Sequence, residues 1–147
     1  MTRNEILEKL APCGLDCSRC ASFKGGDIAK QSQALLNLLG NYKRMADNMS
    51  SFFKPFEQYD SFEKILSFFA DAGCAGCRSG DGKYPDCAAK SCFREKGVDF
   101  CGECGEFPCE KNTYNDDLHR RWLKNGETIR DEGAESFYAL QVTKPRY

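Results

Sequence analysis

Apolar side chains recur at helical spacing over much of the chain. Between residues 27 and 49 they step by seven, three, four, three and four positions, which places them on one face of a helix. The residues of this stripe are Ile28, Leu35, Leu38, Tyr42, Met45 and Met49. Asp27 follows two glycines and suits an N-cap, and Gly40-Asn41 lies where it can divide the helix in two. The pattern predicts helical structure over about 27–49 with this stripe facing the core.

A second helix is predicted over about 60–72. Asp60 and Glu63 stand three residues apart, as in a capping box at a helix start, and Gly73 fits the helix end. The expected apolar face consists of Phe62, Ile65, Leu66 and Phe69. We expect the phenylalanines between 52 and 69 to form core against the cysteine-rich part of the chain, because no convergent polar groups accompany them as in a ligand pocket.

The sequence pattern over about 115–142 predicts further helical structure. Asp116 and Asp117 stand at its start and basic residues follow, the order that the helix dipole favours. Asn125-Gly126 is expected to end this helix, and residues 127–142 to form a last one. The side chains expected to face inward are Leu118, Trp122, Leu123, Phe137, Tyr138 and Leu140.

The fold class follows from these patterns. The N-terminal residues suit a short amphipathic helix with Ile6, Leu7 and Leu10 on one side, and no segment alternates with the period of a strand. Residues 73–109 are rich in cysteine and glycine and read as loop. We therefore expect a mostly α fold: a single domain, 1–147, of helices joined to a loop-rich lobe (73–109 plus 11–20) that metal ions staple together.

Cysteine is the most unusual feature of the composition, with ten among 147 residues. They form an N-terminal triplet and a later group of seven: Cys13, Cys17, Cys20, Cys74, Cys77, Cys87, Cys92, Cys101, Cys104 and Cys109. The N-terminus lacks the apolar stretch of a secretory signal and no run could span a membrane, so we expect a cytoplasmic protein. Disulfides rarely persist there, which favours metal ligation by thiols.

Two Cys-x-x-Cys pairs predict a zinc site. Cys74/Cys77 and Cys101/Cys104 lie 23 residues apart, close to the spacing in four-cysteine zinc sites. Zinc takes four such soft ligands in a tetrahedron. The triplet at 13–20 offers three thiols for a second ion, with Cys109, Cys87 or Cys92 as the fourth. About two zinc ions are expected; which two cysteines are left over, and whether the pairing is sequential or interleaved, stays open.

Other readings of the cysteines are less favoured. The spacing at 13–20 matches the cluster-binding triplet of radical S-adenosylmethionine enzymes, but the chain is too short for the barrel that those enzymes need. An iron–sulfur cluster on other thiols is the remaining alternative cofactor. The only histidine, His119, is expected on a helix surface, which excludes a histidine-rich catalytic zinc site. Six basic residues are expected to offset thiolate charge: Arg19, Arg78, Lys83, Lys90, Arg94 and Lys96.

Four motifs together resemble a known family. They are Ala-Pro-Cys-Gly-Leu-Asp-Cys-Ser-Arg-Cys at 11–20, Cys-Ala-Gly-Cys at 74–77, the Cys87/Cys92 pair, and Cys-Gly-Glu-Cys-Gly-Glu-Phe-Pro-Cys at 101–109. The combination is similar to the bacterial and archaeal cysteine-rich family catalogued as domain of unknown function 3795. Some relatives have a further cysteine near position 84, where this chain has Tyr84. The resemblance implies metal binding and supplies no reaction.

The expected function is that of a zinc-stabilised adaptor or interaction module with a protein partner. No acid–base pair, activated nucleophile or phosphate-binding loop stands out, so an enzyme is not favoured. The alternatives are a thiolate-zinc metalloenzyme or alkyl acceptor, and an iron–sulfur or redox protein. The net charge of -1 shows no excess of positive charge of the kind that nucleic-acid-binding proteins carry. The oligomeric state is not predicted.

Overall fold

The computed structural model describes residues 1–147 and is mostly helical, with no β-strand. Its one β-type contact is an isolated antiparallel bridge between Leu10 and Asp16. The α-helices are α1 (Arg3–Leu7), α2 (Asp27–Leu39), α3 (Lys43–Met49), α4 (Tyr59–Ala70), α5 (Ala89–Glu95) and α6 (Asp116–Gln141). Short 3-10 turns occupy Lys54–Gln58, Cys77–Ser79 and Cys101–Glu103. The predicted mostly α class is confirmed. No helix combines the length and apolar character needed to cross a membrane.

The chain divides into two compact units. Met1–Cys20 and Cys74–Tyr147 form one of them, here called the cysteine unit, and Ala21–Gly73 forms the other, here called the helical insert. All ten cysteines fall in the cysteine unit. The prediction of a single domain over 1–147 stays a prediction.

The helical insert is built by packing α2 against α4. Its buried side chains are Ala29, Ser32, Ala46, Tyr59 and Leu66. The predicted division of the first helix is confirmed: α2 ends at Leu39, and Gly40 adopts φ +50, which glycine reaches without a Cβ clash. The chain then turns before α3 begins at Lys43.

The faces predicted for these helices are partly wrong. Leu38 is 85 % exposed and Met45 52 % exposed, although both belong to the predicted core stripe. The small side chains of Ala29 and Ser32 lie buried instead, on the neighbouring face of α2. Phe52 and Phe68 are likewise exposed, so the prediction that the phenylalanines form core is wrong for them. Helical spacing identifies a band of apolar residues, and tertiary packing selects the part of the band that is buried.

Both predicted helix caps in the insert are also wrong. The N-cap of α2 is Gly26, and Asp27 is the first residue of the helix. Helix α4 begins at Tyr59, so Asp60 lies inside it and caps nothing. Its carboxylate instead accepts a hydrogen bond from Lys43 Nζ at 2.7 Å. Asp27 and Asp60 still lie in first turns, where the helix dipole favours an acidic side chain.

The apolar core of the cysteine unit forms between α1 and α6. The residues of this cluster are Ile6, Leu10, Phe100, Ile129, Ala134, Phe137 and Tyr138. A capping box between Thr2 and Glu5 begins α1, and the burial of Ile6 agrees with the predicted amphipathic helix. Leu10 is buried as well, but it lies beyond the end of α1, in the bridge to Asp16. Trp122 is 1 % exposed, as predicted for an inward-facing residue of α6.

Helix α6 does not end at Asn125-Gly126 as predicted. It continues through both residues, and its only non-helical residue is Gly133, with φ +86. Gly126 has a packing role: a Cβ there would lie 2.3 Å from Phe107 Cζ. The glycine therefore admits the ring of Phe107 against the helix, which brings the loop after Cys104 onto α6.

Candidate metal centre

Arginine side chains bind backbone carbonyls and so hold the cysteine-bearing loops in place. Arg78 donates from Nε to the Leu10 carbonyl and from an Nη to the Asp99 carbonyl, each at 2.8 Å. Its guanidinium also lies 4.9 Å from the centre of the Phe100 ring. Arg130 of α6 donates to the carbonyls of Gly102 and Phe107. These contacts fix the segments that carry the thiols relative to α6.

Direct backbone contact joins the N-terminal triplet to the last cysteine group. Cys101 N–H donates to the Pro12 carbonyl at 2.8 Å. Gly102 lies directly against α6, because a Cβ at this position would meet the Gly126 carbonyl oxygen at 2.1 Å. Residues that are 88 positions apart in the sequence, Cys13 and Cys101, therefore approach each other.

Four thiols line one small pocket of about 30 Å³. They belong to Cys92 on α5 and to Cys101, Cys104 and Cys109 in the following loop. A volume of this size is about that of one water molecule. Apolar side chains form much of the remaining lining: Ala88, Ala89, Phe93, Val98 and Phe107. We call this group the loop set of thiols.

A second group of thiols centres on Cys17 and Cys77, whose thiols act on each other. The Cys77 thiol lowers the pKa of Cys17, and the same interaction raises the pKa of Cys77. Cys13 and Cys87 also act electrostatically on Cys77. Burial raises the pKa of the Cys13 thiol to about 12. We call Cys13, Cys17, Cys77 and Cys87 the bridge set, because its members come from both sides of the helical insert in the sequence.

Several donors point at individual sulfurs. Gly76 N–H donates to Cys74 Sγ at 3.4 Å and Glu106 N–H to Cys104 Sγ at 3.5 Å. Tyr114 Oη lies 3.1 Å from Cys87 Sγ. Backbone donors of this kind stabilise thiolate, the form that binds metal.

The buried indole N–H of Trp122 has no hydrogen-bond partner of ordinary geometry. Its electrostatic partner is Cys101: burial raises the pKa of this thiol to about 11, and the indole acts in the opposite direction. A buried donor without an acceptor costs free energy. An anionic sulfur at Cys101, as in a metal thiolate, supplies a stronger acceptor for this indole than a neutral thiol does.

No three cysteine, histidine, aspartate or glutamate side chains are arranged in this structure so as to hold a metal ion between them. All ten cysteines are free. The donor chemistry nevertheless fits zinc, because the loop set provides four soft ligands around one pocket.

The structure places the two Cys-x-x-Cys pairs in different neighbourhoods. Cys101 and Cys104 share their pocket with Cys92 and Cys109, whereas Cys77 has Cys17, Cys13 and Cys87 as its thiol neighbours. Cys74 contacts the Asp81 carbonyl at 3.4 Å instead. Cys87 also acts electrostatically on Cys101, and Cys101 on Cys13, so the pairing of the cysteines around metal, sequential or interleaved, stays a prediction.

The predicted basic neighbours mostly bind backbone oxygens. Lys90 Nζ donates to the carbonyls of Gly82 and Tyr84, and Arg94 to that of Arg78. Lys96 pairs with Glu106 beside the loop-set pocket. His119 is exposed on α6, as predicted for a helix-surface residue.

Sequence reasoning gave no role to the aromatic residues beside the thiols. Tyr114 packs edge-on against Trp122, with the ring centres 5.9 Å apart, and Phe107 also contacts Trp122. Tyr84 stacks edge-on against Tyr114 and donates its hydroxyl to the Thr113 carbonyl. The only sign of these contacts in the sequence is that aromatic residues stand near the cysteines.

These features define a mostly helical, cysteine-rich protein whose cysteine-bearing loops are held by arginine–carbonyl hydrogen bonds and lie beside aromatic side chains. The family model described as protein of unknown function (DUF3795) matches residues 9–114, which is more than half of the chain. The chain therefore belongs to this family, as the motifs predicted. No curated protein and no solved structure matches it.

Proposed function

We propose that this chain is a zinc-binding interaction module in which about two zinc ions, each held by four thiolates, maintain the shape of the cysteine unit. The observation that carries the proposal is that four cysteines line one small pocket, in the loop set. The bridge set provides the second group of four. Cys20 and Cys74 are the two cysteines left outside these sets.

Zinc is favoured over other divalent metals by the donors themselves. Zinc is commonly held by four cysteine thiolates, and Mg²⁺ and Ca²⁺ prefer oxygen ligands. A four-thiolate zinc site has a net charge of about -2. Lys96 and Lys111 line the loop-set pocket together with Glu106, which pairs with both, so this lining would offset about one unit of that charge. The pKa of Lys111 is raised, chiefly by its hydrogen bond with Glu106 and to a smaller degree by Cys92 and Cys109, so its ammonium group lies near these thiols.

A structural role for the metal follows from the weak regular structure around the thiols. Between Cys74 and Asn115 the only α-helix is α5, which has seven residues. Such a segment gains little from helix packing to offset the entropy of ordering its backbone. Metal–thiolate bonds supply this stabilisation in small domains.

Exposed apolar side chains support the interaction part of the proposal. Leu38, Phe52 and Phe68 of the helical insert are 85 %, 79 % and 68 % exposed. Exposed apolar side chains of this size are available to contact a protein partner if they lie on one surface. The module would thus present the insert to a partner while the cysteine unit carries the metal.

A redox protein is the second candidate, and the interaction between the neighbouring thiols of Cys17 and Cys77 is the observation that favours it. Two thiols in contact can form a disulfide if an oxidant is supplied. We found no feature that favours the thiolate-zinc metalloenzyme or alkyl acceptor, or an iron–sulfur cluster, over these two.

Elemental analysis of the protein purified without added metal tests the proposal. We expect about two zinc ions per chain, little iron and no absorption in the visible. Stoichiometric iron with visible charge-transfer bands would contradict the zinc assignment. A metal-free protein with one rapidly formed disulfide between Cys17 and Cys77, identified by peptide mapping, would favour the redox candidate.

A further inference from the structure

A pocket of about 240 Å³ in the cysteine unit is distinct from the thiol clusters. Its lining comes from the loop at 14–19, from α6 and from the C-terminal tail at 141–146. Five cationic residues line it: Arg19, Arg121, Lys124, Lys144 and Arg146. Asp16 is the only acidic residue of the lining.

The negative charge of Asp16 is already taken up within the protein. Asp16 is 4 % exposed, and its carboxylate accepts hydrogen bonds from Ser18 Oγ at 2.6 Å and from Arg19 Nε at 2.6 Å. The backbone N–H of Arg19 donates to it as well. Asp16 therefore neutralises Arg19 and leaves the other four cations of the pocket without a carboxylate.

Hydrogen bonds of Arg19 and Arg146 fix the shape of the pocket. Arg19 donates its two terminal nitrogens to the carbonyls of Lys144 and Gln141, at 2.8 Å and 2.9 Å. Arg146 donates from Nε to the Asp16 carbonyl at 3.1 Å. These bonds hold the C-terminal tail against the loop at 14–19 and so give the pocket a fixed wall.

Three further cations have no partner in the protein. The side chains of Arg121, Lys124 and Lys144 form no ion pair and donate no hydrogen bond. The neighbouring Arg120 differs, because it is paired with Asp117. Like charges gathered around one concave site repel each other, and a bound anion relieves that repulsion.

We propose that this pocket binds a small dianion, the phosphate group of a phosphate monoester or inorganic phosphate. Guanidinium and ammonium groups together recognise phosphate oxygens, the former by paired N–H donors. The volume lies below the range of about 300–1,000 Å³ typical for large ligands, which matches a phosphate group with a small organic body. This inference does not depend on zinc in the thiol clusters.

Calorimetric titration of the full, metal-loaded chain tests the proposal, with inorganic phosphate and glycerol phosphate as the two probes at constant ionic strength. We expect binding at millimolar or lower phosphate. Arg121→Gln and Lys124→Gln should each weaken it by about fivefold, the effect of one exposed charge at contact distance. Tighter binding of glycerol phosphate would identify a monoester as the ligand, and equal binding would identify the free ion.

Arg44→Gln is the control, because it removes one arginine charge at an exposed position of the helical insert, outside the pocket. We expect this variant to bind phosphate as the wild type does. Absence of phosphate binding by the folded wild type would overturn the proposal. An equal loss of affinity in Arg44→Gln and Arg121→Gln would overturn it too, because the attraction would then come from net charge alone.

Discussion

The helical insert and the cysteine unit are held together by different physical means. The insert contains no cysteine, and its buried residues lie mainly where α2, α3 and α4 meet. The segment of the cysteine unit from 74 to 115 has one short α-helix, seven thiols and a series of arginine–carbonyl hydrogen bonds. Apolar burial stabilises the insert, whereas polar contacts and the proposed metal stabilise the loops of the cysteine unit.

This contrast suggests that the two units are stabilised independently of each other. A helix pair tolerates exposed apolar side chains because its remaining buried face suffices to order it. Loops that bury little apolar area need specific contacts at particular atoms, such as those of Arg78 and Gly102. Perturbations should therefore act on one unit and spare the other, and the following predictions test this separation in order of expected effect.

Metal removal should have the largest effect. A strong chelator should expose the backbone of residues 73–109 to exchange while α2 and α4 keep their protection, because the insert has its own core. Hydrogen exchange with and without the chelator measures both units in one experiment. Equal protection of residues 73–109 after the metal has left would show that the metal is not structural.

Gly102→Ala should be the most damaging single substitution in the cysteine unit. Its Cβ would lie 2.1 Å from the Gly126 carbonyl oxygen, a backbone atom of α6 that cannot rotate away. We expect a loss of about 3 kcal/mol in unfolding free energy, the upper part of the range for overpacking. Urea unfolding followed by tryptophan fluorescence reports this unit, because Trp122 is the only tryptophan.

Gly105→Ala serves as the control for that substitution. A Cβ at Gly105 meets nothing within 4 Å, so its effect should stay within about 0.5 kcal/mol. A similar loss in both variants would mean that the loop, and not its contact with α6, determines the cost.

Leu66→Ala should destabilise the insert alone. Leu66 is 8 % exposed between α2 and α4, and truncating a buried leucine costs about 2–5 kcal/mol. Ile65→Ala, next to it and 56 % exposed, should cost less than about 1 kcal/mol. Helical circular dichroism during unfolding measures the difference. A fall in the metal content of Leu66→Ala would contradict the separation of the two units.

Arg78→Gln should have the smallest effect of the series. It removes the donors to the Leu10 and Asp99 carbonyls, at a cost of about 1–2 kcal/mol in the cysteine unit. Arg44→Gln, an exposed position in the insert, removes the same charge and should leave stability unchanged. Equal effects of the two variants on the tryptophan-monitored transition would argue against the bracing role of Arg78.

The sequence predicted the helices better than their burial. Apolar periodicity and glycine identified α2, α4 and the break at Gly40, because these depend on local backbone preferences. Leu38 was assigned to the wrong face and the buried Ser32 was not predicted, since the choice of face depends on the close approach of α2 to α4. Gly126 resembled a helix end, but its true constraint is the Phe107 ring, which is distant in the sequence.

The sequence identified the cysteines as candidate ligands but did not show which of them lie close together. Cysteine content and Cys-x-x-Cys spacing named the candidate ligands, as local chemistry allows. Spacing alone could not place Cys77 beside Cys17, because that contact depends on the bridge between Leu10 and Asp16 and on Arg78 binding Leu10. Trp122 and Tyr114 could be recognised as neighbours of the thiols only in three dimensions.

The zinc content of single-cysteine variants, measured by native mass spectrometry, tests the central claim most directly. The account predicts about two zinc ions in the wild type and in Cys74→Ser and Cys20→Ser. It predicts the loss of one ion in Cys104→Ser, from the loop set, and in Cys17→Ser, from the bridge set. Two ions in the wild type with one lost in Cys74→Ser would contradict the grouping, and a wild type without zinc would contradict the metal itself.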